Sequence, residues 1–173
     1  KMFRSASSFN QNLNSWNTSN AESLWVMFSN AQKFNNGCSS TDASDTNCPL
    51  TNWDVSNVNS TSHGGYGVNN TFGDSRFNQD ISTWNLSGVN DMREMFRNGP
   101  FNQDISAWGA RLVGIGGFGV ERLFQNTTNM SDDNKCAIYT DFSTRNLTNW
   151  SSSHAQDWDS ACPYETDYSN AVQ

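Results

Sequence analysis

Clusters of basic side chains are missing from this sequence. Its 173 residues contain 10 lysines and arginines but 17 aspartates and glutamates, which gives a formal net charge of −7. A protein that binds nucleic acid needs closely spaced basic residues to neutralise phosphates. The sequence therefore argues against a nucleic-acid partner.

Long apolar runs are also missing. No stretch approaches the roughly 20 consecutive apolar residues that a membrane-spanning helix requires, and no signal peptide is visible. Because Lys1, Met2 and Phe3 begin the sequence in the middle of a repeat, we expect a processed mature protein or part of a longer one. Charged residues make up only 16% of the chain and aromatic residues 13%, a combination that argues against disorder.

The four cysteines form no C-x-x-C pair, so they do not predict a zinc site. An even number of cysteines favours disulfides in a secreted protein, and four cysteines allow three pairings. We favour Cys38 with Cys48 and Cys136 with Cys162, because each pair closes a segment that interrupts or ends the internal repeat of the chain.

What the sequence does contain is a repeated motif, F-N-x-x-[IL]-x-x-W. Three copies keep the same spacing from Phe to Trp, at 9–16, 77–84 and 101–108. The other two copies are interrupted, with Phe34, Leu50 and Trp53 in one and Met130, Leu147 and Trp150 in the other. A fixed period of about 25 residues is typical of a solenoid.

Each repeat is predicted to contain a short strand and a short helix. Phe101, Gln103 and Ile105 alternate as in a strand. Other apolar residues follow the spacing of one helical face: Ala21, Leu24, Met27, Phe28 and Ala31 in one repeat, and Val89, Met92, Met95, Phe96 and Gly99 in another. Shorter helices are predicted at 68–72 and 120–124.

Potential helix caps accompany these segments. Ser19 and Glu22 match a capping box, and Ser56 and Ser87 occupy the equivalent cap position. The combined patterns predict an α/β, leucine-rich-repeat-like right-handed solenoid of about five coils, whose parallel strands lie roughly 4.8 Å apart.

Stacking of coils would bring equivalent side chains together. Four repeated asparagines are predicted to lie above one another and to bond neighbouring backbone: Asn10, Asn35, Asn78 and Asn102. The repeated Phe, Ile, Leu and Trp side chains form the predicted core, because one coil cannot bury its own apolar face. Each indole N–H is expected to reach an edge carbonyl.

Several insertions interrupt the repeat, at 37–49, around 63–67 and at 109–119. We divide the chain into a repeat region, 1–130, and a last coil with a C-terminal cap, 131–173. In the cap, Ser131 is predicted to begin a helix that runs from Asp132 to about Tyr139, with acidic residues in its first turn.

The repeat resembles a known family. The segment 77–101, FNQDISTWNLSGVNDMREMFRNGPF, is similar to BspA-like surface repeats, also called mycoplasma-lipoprotein-type repeats. The later segment 131–143, SDDNKCAIYTDFS, resembles the segment that often closes such arrays. The resemblance runs from Met2 to about Trp158. It implies a secreted or surface-exposed, leucine-rich-repeat-like solenoid associated with adhesion or cell-surface structure, and it implies no catalytic residues. The long insertions depart from the family pattern and would interrupt a continuous binding face.

Three other motifs favour structural roles. The G-x-G-x-x-G match at 114–119 fills an insertion and lacks the flanking strand and helix of a dinucleotide site. Asp80 and Asp104 occupy the same repeat position, so we expect turn capping rather than a calcium or glycosidase site. His63 and His154 have no nucleophile or metal-ligand cluster near them in sequence.

Eight N-x-[ST] sequons are potential N-glycosylation sites in a eukaryotic secretory route: Asn17, Asn59, Asn69, Asn85, Asn126, Asn129, Asn146 and Asn149. Asn59, Asn69, Asn126 and Asn129 are favoured, because they fall in predicted loops or helix ends. Trp25 and Trp158 lie outside the repeated Trp series and are expected to pack rather than bind sugar.

The sequence favours a non-enzymatic extracellular structural or adhesive protein without cofactor or metal. Met2 and Phe3 start directly at a coil, whereas the C-terminus has a predicted cap, so we expect head-to-tail self-association into a fibre or filament, or contacts with other surface proteins. The alternative is a glycan- or receptor-binding surface module that uses the insertion loops.

Overall fold

The computed structural model describes residues 1–38, 47–59, 66–112, 119–145, 147, 149–155 and 157–162. Within these ranges the chain has one α-helix, α1 (Asp132–Phe142), and three short 3₁₀-helices: η1 (Ser106–Arg111), η2 (Trp150–Ser152) and η3 (Trp158–Ala161). The described ranges contain no β-strand, and one isolated parallel bridge joins Asp91 to Gly119. Most of the described chain is therefore turn and irregular structure.

The predicted α/β, leucine-rich-repeat-like right-handed solenoid is therefore wrong. The described residues of the segments predicted as helices, at 21–31, 68–72, 89–99 and 120–124, contain turns, and 101–105 forms no strand. Ser19, Glu22, Ser56 and Ser87 consequently cap no helix. Only the helix predicted after Ser131 is present, and it extends three residues further than expected, to Phe142.

Consecutive four-residue turns replace the predicted helices. In residues 24–31, the N–H of Met27 donates to the carbonyl of Leu24, and the N–H of Ala31 donates to Phe28, both at 2.9 Å. The third residue of each turn, Val26 or Asn30, has a positive φ of 47° or 57°, as type II turns require. A period of four residues is close to the 3.6 of a helix, so both place Leu24 and Phe28 on one side.

Other backbone N–H groups in these turns have no acceptor within the turn. They donate to carbonyls of the next repeat. Val26, Phe28 and Asn30 donate to the carbonyls of Asn69, Thr71 and Gly73, at 3.0, 2.9 and 2.9 Å. The next repeat continues the pattern, with Asn70, Phe72 and Asp74 donating to Arg93, Met95 and Arg97. Since a helix would satisfy these groups internally, the turns depend on the neighbouring repeat for their backbone hydrogen bonds.

Two columns of phenyl rings form the centre of the core. One contains Phe3, Phe28, Phe72, Phe96 and Phe124, with successive centroids 5.5–6.3 Å apart. The other contains Phe9, Phe34, Phe77 and Phe101, at 5.8–6.5 Å. Within each repeat the two rings stack at 3.8–4.0 Å. Each ring therefore contacts rings of its own and of adjacent repeats, which confirms the predicted packing of equivalent residues.

The repeated asparagines lie above one another as predicted, and we call their hydrogen-bonded column the asparagine ladder. The backbone N–H groups of Asn35, Asn78 and Asn102 donate to the side-chain oxygens of Asn10, Asn35 and Asn78, at 2.8, 2.9 and 2.6 Å. The indoles of Trp53, Trp84 and Trp108 likewise donate to the carbonyls of Leu13, Leu50 and Ile81 in the preceding repeat. Buried polar groups thus find partners across each junction.

The C-terminal part covers the last repeat. Ser131 accepts a hydrogen bond from the N–H of Asn134 and so caps α1. Trp158 packs on Phe124, with ring centroids 4.9 Å apart, and the disulfide Cys136–Cys162 joins α1 to the residue that follows η3. The second favoured disulfide, Cys38–Cys48, is present as well.

Candidate functional site

The outer face of the first repeat is the principal candidate for an interaction site. Met2 is 69% exposed and Trp16 is 38% exposed, and they are the two large apolar side chains classed as exposed among the described residues. Equivalent residues further along the stack are covered, since Met27 packs against the core and Trp53 is only 3% exposed. We call the surface around Met2, Arg4 and Trp16 the end face.

A groove lies beside the end face. Its volume is about 360 Å³, and its lining includes Met2, Trp16, Thr18, Leu24, Met27 and Trp53. Lys1, Asn17, Asn20, Ala21 and Ser23 complete the lining. The groove thus combines a thioether and indole surface with amide, hydroxyl and lysine groups, and a mainly apolar lining with a few polar groups is typical of binding pockets.

The end face also presents backbone and side-chain groups that are paired elsewhere in the stack. The carbonyls of Met27 and Ser29 accept from the N–H groups of Phe3 and Ser5, at 2.9 and 2.8 Å. By repeat position, their counterparts in the first repeat are the carbonyls of Met2 and Arg4, which receive no donor from the described residues. The Trp16 indole similarly has no acceptor among them, unlike those of Trp53 and Trp84.

The two ends of the described chain differ in charge. Residues 1–18 contain Lys1 and Arg4 and no acidic residue, whereas residues 131–162 contain five aspartates against one lysine and one arginine. In the second segment, Lys135 pairs with Asp132 at 2.8 Å and Arg145 pairs with Asp141 at 2.7 Å. The remaining acids, including exposed Asp133 and Asp159, leave this end negative, opposite in sign to the end face.

Trp25 lies close to the end face, but both sides of its ring are covered. Tyr66 stacks on it with centroids 4.2 Å apart, and the Lys1 ammonium lies 3.8 Å above the ring. A second groove of about 460 Å³ is lined by Lys1, Asn20, Glu22, Ser23 and Trp25. Because neither indole face is open, stacking of a sugar ring on Trp25 would require one of these contacts to break.

A charged cluster in the middle of the stack has a structural arrangement. Asp91 is fully buried, and the Arg93 guanidinium donates to both of its oxygens at 3.0 Å. This hydrogen bond raises the pKa of Arg93 above its ordinary value. Asn69 donates to the same two oxygens at 3.3 Å. Since every contact is made within the protein, Asp91 has its charge compensated and does not resemble an exposed acid or base.

The acidic residues singled out in the sequence act as turn caps. The side-chain oxygens of Asp80 and Asp104 accept from the N–H groups of Ser82 and Ser106, each at 2.8 Å. The described part of the chain contains no group of three or more His, Cys, Asp or Glu residues suited to a metal ion. The glycine motif lies outside the described residues except for Gly119, His63 also lies outside them, and His154 is exposed.

The sequons differ in their surroundings. Asn17, Asn85, Asn126, Asn129 and Asn149 are exposed, Asn59 and Asn69 are half-buried, and Asn146 lies outside the described residues. The Asn69 amide is bound to Asp91, and that of Asn126 donates to Asn98 at 2.8 Å. Chain position therefore does not indicate which amide nitrogens are accessible.

The comparisons with known proteins identify the family. A family model described as "Mycoplasma protein of unknown function, DUF285" matches residues 1–47 and 41–170. The chain belongs to the DUF285 family. Membership in DUF285 confirms the predicted mycoplasma-type resemblance at this coarse level. No curated protein and no solved structure matches the sequence.

Two further observations concern where a DUF285 protein of this kind acts. Both disulfides are compatible with an extracellular or surface location. No helix in the described ranges has the length and apolar character needed to cross a bilayer.

The sequence carries a signal for these turns. Each Phe of the first column is followed two residues later by a residue with positive φ, and in four of the five repeats that residue is Asn or Asp: Asn30, Asp74, Asn98 and Asn126. These two residue types tolerate the left-handed region better than most. The pattern F-x-[ND] therefore indicates a turn rather than a helix.

Proposed function

We propose that this DUF285 protein is a non-enzymatic, extracellular structural or adhesive repeat protein that self-associates head to tail. The proposal includes the finer, BspA-like resemblance of the repeats and assigns no catalytic residue or cofactor. The observation that supports self-association is the end face. Its exposed groups belong to repeat positions that are paired with another repeat in the interior of the stack.

The partner in this proposal is a second copy of the same chain. At its C-terminal end Trp158 packs on Phe124, the last ring of the first phenyl column, so this column does not continue from one copy into the next. The contact is instead made by the acidic outer surface of the cap, where Asp133 and Asp159 are exposed. This surface is opposite in charge to Lys1 and Arg4, and opposite charges steer and orient association.

A head-to-tail contact joins two different surfaces, and it produces open chains of subunits unless the rotation between subunits closes a ring. Sedimentation velocity of the full chain, made without N-glycans, over a range of concentrations tests this. We expect a progressive series of species rather than one dimer, and a shift toward monomer at high salt, because screening weakens exposed charge pairs.

Variants locate the contact. Met2→Ser combined with Trp16→Ser should abolish association without lowering the denaturation midpoint much, while Ala107→Ser, on an exposed residue of another repeat, is the matched control. Arg4→Glu should weaken association at low salt. A triple variant that combines Arg4→Glu with Asp133→Lys and Asp159→Lys should restore association, because the charges are then reversed on both surfaces. A chain that stays monomeric at every concentration, or forms only a discrete dimer, overturns the proposal.

The alternative of glycan or receptor recognition relies on insertions that include 39–46, 60–65 and 113–118. These residues lie outside the described part of the chain. The self-association proposal instead rests on Met2, Arg4 and Trp16, which are exposed.

A further inference from the structure

Two sequons, at Asn17 and Asn85, occupy the same position in their repeats and have the same local geometry. Asn17 and Asn85 each follow the Trp of their repeat, and each has a serine two residues later, Ser19 or Ser87. The intervening repeat has Asp54 and Ser56 at these positions. The three acceptor side chains therefore occur at equivalent positions in three successive repeats, and all three are exposed.

The side-chain oxygen at this position closes a turn. Asn17 Oδ1 accepts from the N–H of Ser19 at 3.1 Å and from its hydroxyl at 2.8 Å. Asn85 Oδ1 accepts from the N–H of Ser87 at 3.2 Å, and Asp54 accepts from the N–H and hydroxyl of Ser56. These are Asx turns, in which only the oxygen of the amide is used.

The amide nitrogens of Asn17 and Asn85 make no hydrogen bond to the described residues. N-linked glycosylation modifies this nitrogen and leaves the carbonyl oxygen as an acceptor. The turn can therefore persist in the glycosylated protein, since both asparagines are exposed.

Asn69 has the opposite geometry. Its nitrogen donates to both oxygens of buried Asp91 at 3.3 Å. The hydroxyl of its sequon, on Thr71, is fully buried and donates to the carbonyls of Leu24 and Val68 at 3.1 and 2.7 Å. A glycan on Asn69 would have to displace these contacts, and Asp91 would lose a donor.

We propose that the secreted, folded protein carries N-linked glycans at Asn17 and Asn85 and none at Asn69. The donor class is an oligosaccharide linked through pyrophosphate to a lipid. The asparagine Nδ2 forms a bond to the anomeric carbon while the bond from that carbon to the pyrophosphate oxygen breaks. The lipid pyrophosphate leaves with the electron pair, and a base takes the proton lost from Nδ2, so no oxidant or reductant is needed.

The test uses the full chain secreted from a eukaryotic host, followed by enzymatic deglycosylation and site-by-site peptide mass spectrometry. Deglycosylation should convert Asn17 and Asn85 to aspartate and leave Asn69 unchanged. Asn17→Gln and Asn85→Gln should each remove the mass of one glycan, while Asn69→Gln, the matched control, should remove none. Ser87→Thr should preserve the glycan on Asn85, and Ser87→Ala should abolish it.

A gain-of-site variant makes the test sharper. Asp54→Asn completes an N-x-S sequon in the same turn, and we expect it to gain one glycan. Secreted, folded protein that is unmodified at Asn17 and Asn85, or that carries a glycan on Asn69 with an unchanged denaturation midpoint, overturns the proposal. Because self-association is measured on protein made without N-glycans, either proposal can fail without the other.

Discussion

The side-chain oxygen of Asn35 accepts a 2.9 Å hydrogen bond from the backbone N–H of Asn78, which lies 43 residues later in the sequence. The same oxygen accepts from the Gln79 amide, also at 2.9 Å, in a fully buried environment. One asparagine per repeat therefore replaces the backbone carbonyl that a neighbouring strand would supply. Because a buried N–H without an acceptor destabilises the fold, the asparagine ladder fixes the register between neighbouring repeats.

Loss of a ladder oxygen should destabilise the junction it serves. Asn102 Oδ1 accepts from the N–H of Ser131 and the amide of Asn134, both at 2.8 Å. Asn102→Ala should lower the free energy of unfolding by about 1 kcal/mol, since two hydrogen bonds are lost but water can reach the exposed Ser131 N–H. Asn102→Asp should lower the free energy of unfolding by less, because its carboxylate oxygen can still accept both hydrogen bonds. The negative charge also lies near the N-terminus of α1, where it is favourable.

Urea denaturation measures both changes. The control is Asn52→Ala, whose exposed side chain makes no hydrogen bond to the described residues, and we expect a change within about 0.5 kcal/mol. Equal stability of Asn102→Ala and the wild type would contradict the role given to the ladder.

The buried indole of Trp84 should contribute through packing and through one hydrogen bond. It stacks on Trp53 at 6.0 Å and donates to the Leu50 carbonyl at 3.0 Å. Trp84→Ala should cost about 3–5 kcal/mol through the cavity it leaves, as should Phe101→Ala. Trp84→Phe keeps most of the ring volume and removes one of two donors to the Leu50 carbonyl, which the Trp53 N–H also reaches at 3.2 Å, so it should cost about 0.5–1.5 kcal/mol.

The comparison for these variants is Trp16→Ala, at the exposed end of the stack. Because Trp16 is 38% exposed, its removal should cost no more than about 1 kcal/mol. Thermal and urea denaturation give the values, and an equal loss for Trp16→Ala and Trp84→Ala would refute the assignment of Trp84 to the core.

Val26 should be a point of backbone strain. Its φ is 47°, a region that β-branched residues rarely adopt. The equivalent residue of the next repeat is Asn70, with a φ of 49°. Val26→Asn should therefore raise the free energy of unfolding by about 1 kcal/mol. Val58→Asn, at a fully buried valine, should lower it instead, and a lower stability for both variants would rule out strain at Val26.

Asp54 should titrate at a lower pH than an ordinary aspartate. The Ser56 hydroxyl and then the Ser56 N–H donate to its carboxylate and lower its pKa. Because the pKa of Asp54 is lower in the folded state, its carboxylate stabilises the fold at pH values above the unfolded-state pKa of about 3.9. This stability is lost as the pH falls through the folded-state pKa. Carboxyl NMR titration should show this shift, and Ser56→Ala should reverse most of it.

Side-chain stacking could be predicted from the sequence, but the backbone could not. The Phe, Trp and Asn positions recur with the repeat, and their contacts follow from that register. The helix prediction is wrong because the spacing of Leu24 and Phe28 fits a four-residue turn period as well as a 3.6-residue helical one. Strands were predicted at 101–105, where the N–H of Asn102 bonds instead to a side-chain oxygen of Asn78.

The accessible sequons could not be ranked from sequence either. The local sequence favours Asn69 because it falls at a predicted helix end, yet its amide donates to Asp91, 22 residues later. Nothing in the local sequence of Asn69 indicates that neighbour. Asn17 and Asn85 share the Trp–Asn–x–Ser pattern, which could have been read as a repeated Asx turn.

The hydrogen bonds between repeats have a mechanical consequence. They run from one repeat to the next, so the junctions lie in series along the stack. Under a pulling force along that direction every junction carries the same load, and the weakest one breaks first. With each repeat bound chiefly to its neighbours, such a force should extend the protein in steps of one repeat. The Cys38–Cys48 link would shorten its own step, because the enclosed residues cannot be drawn out.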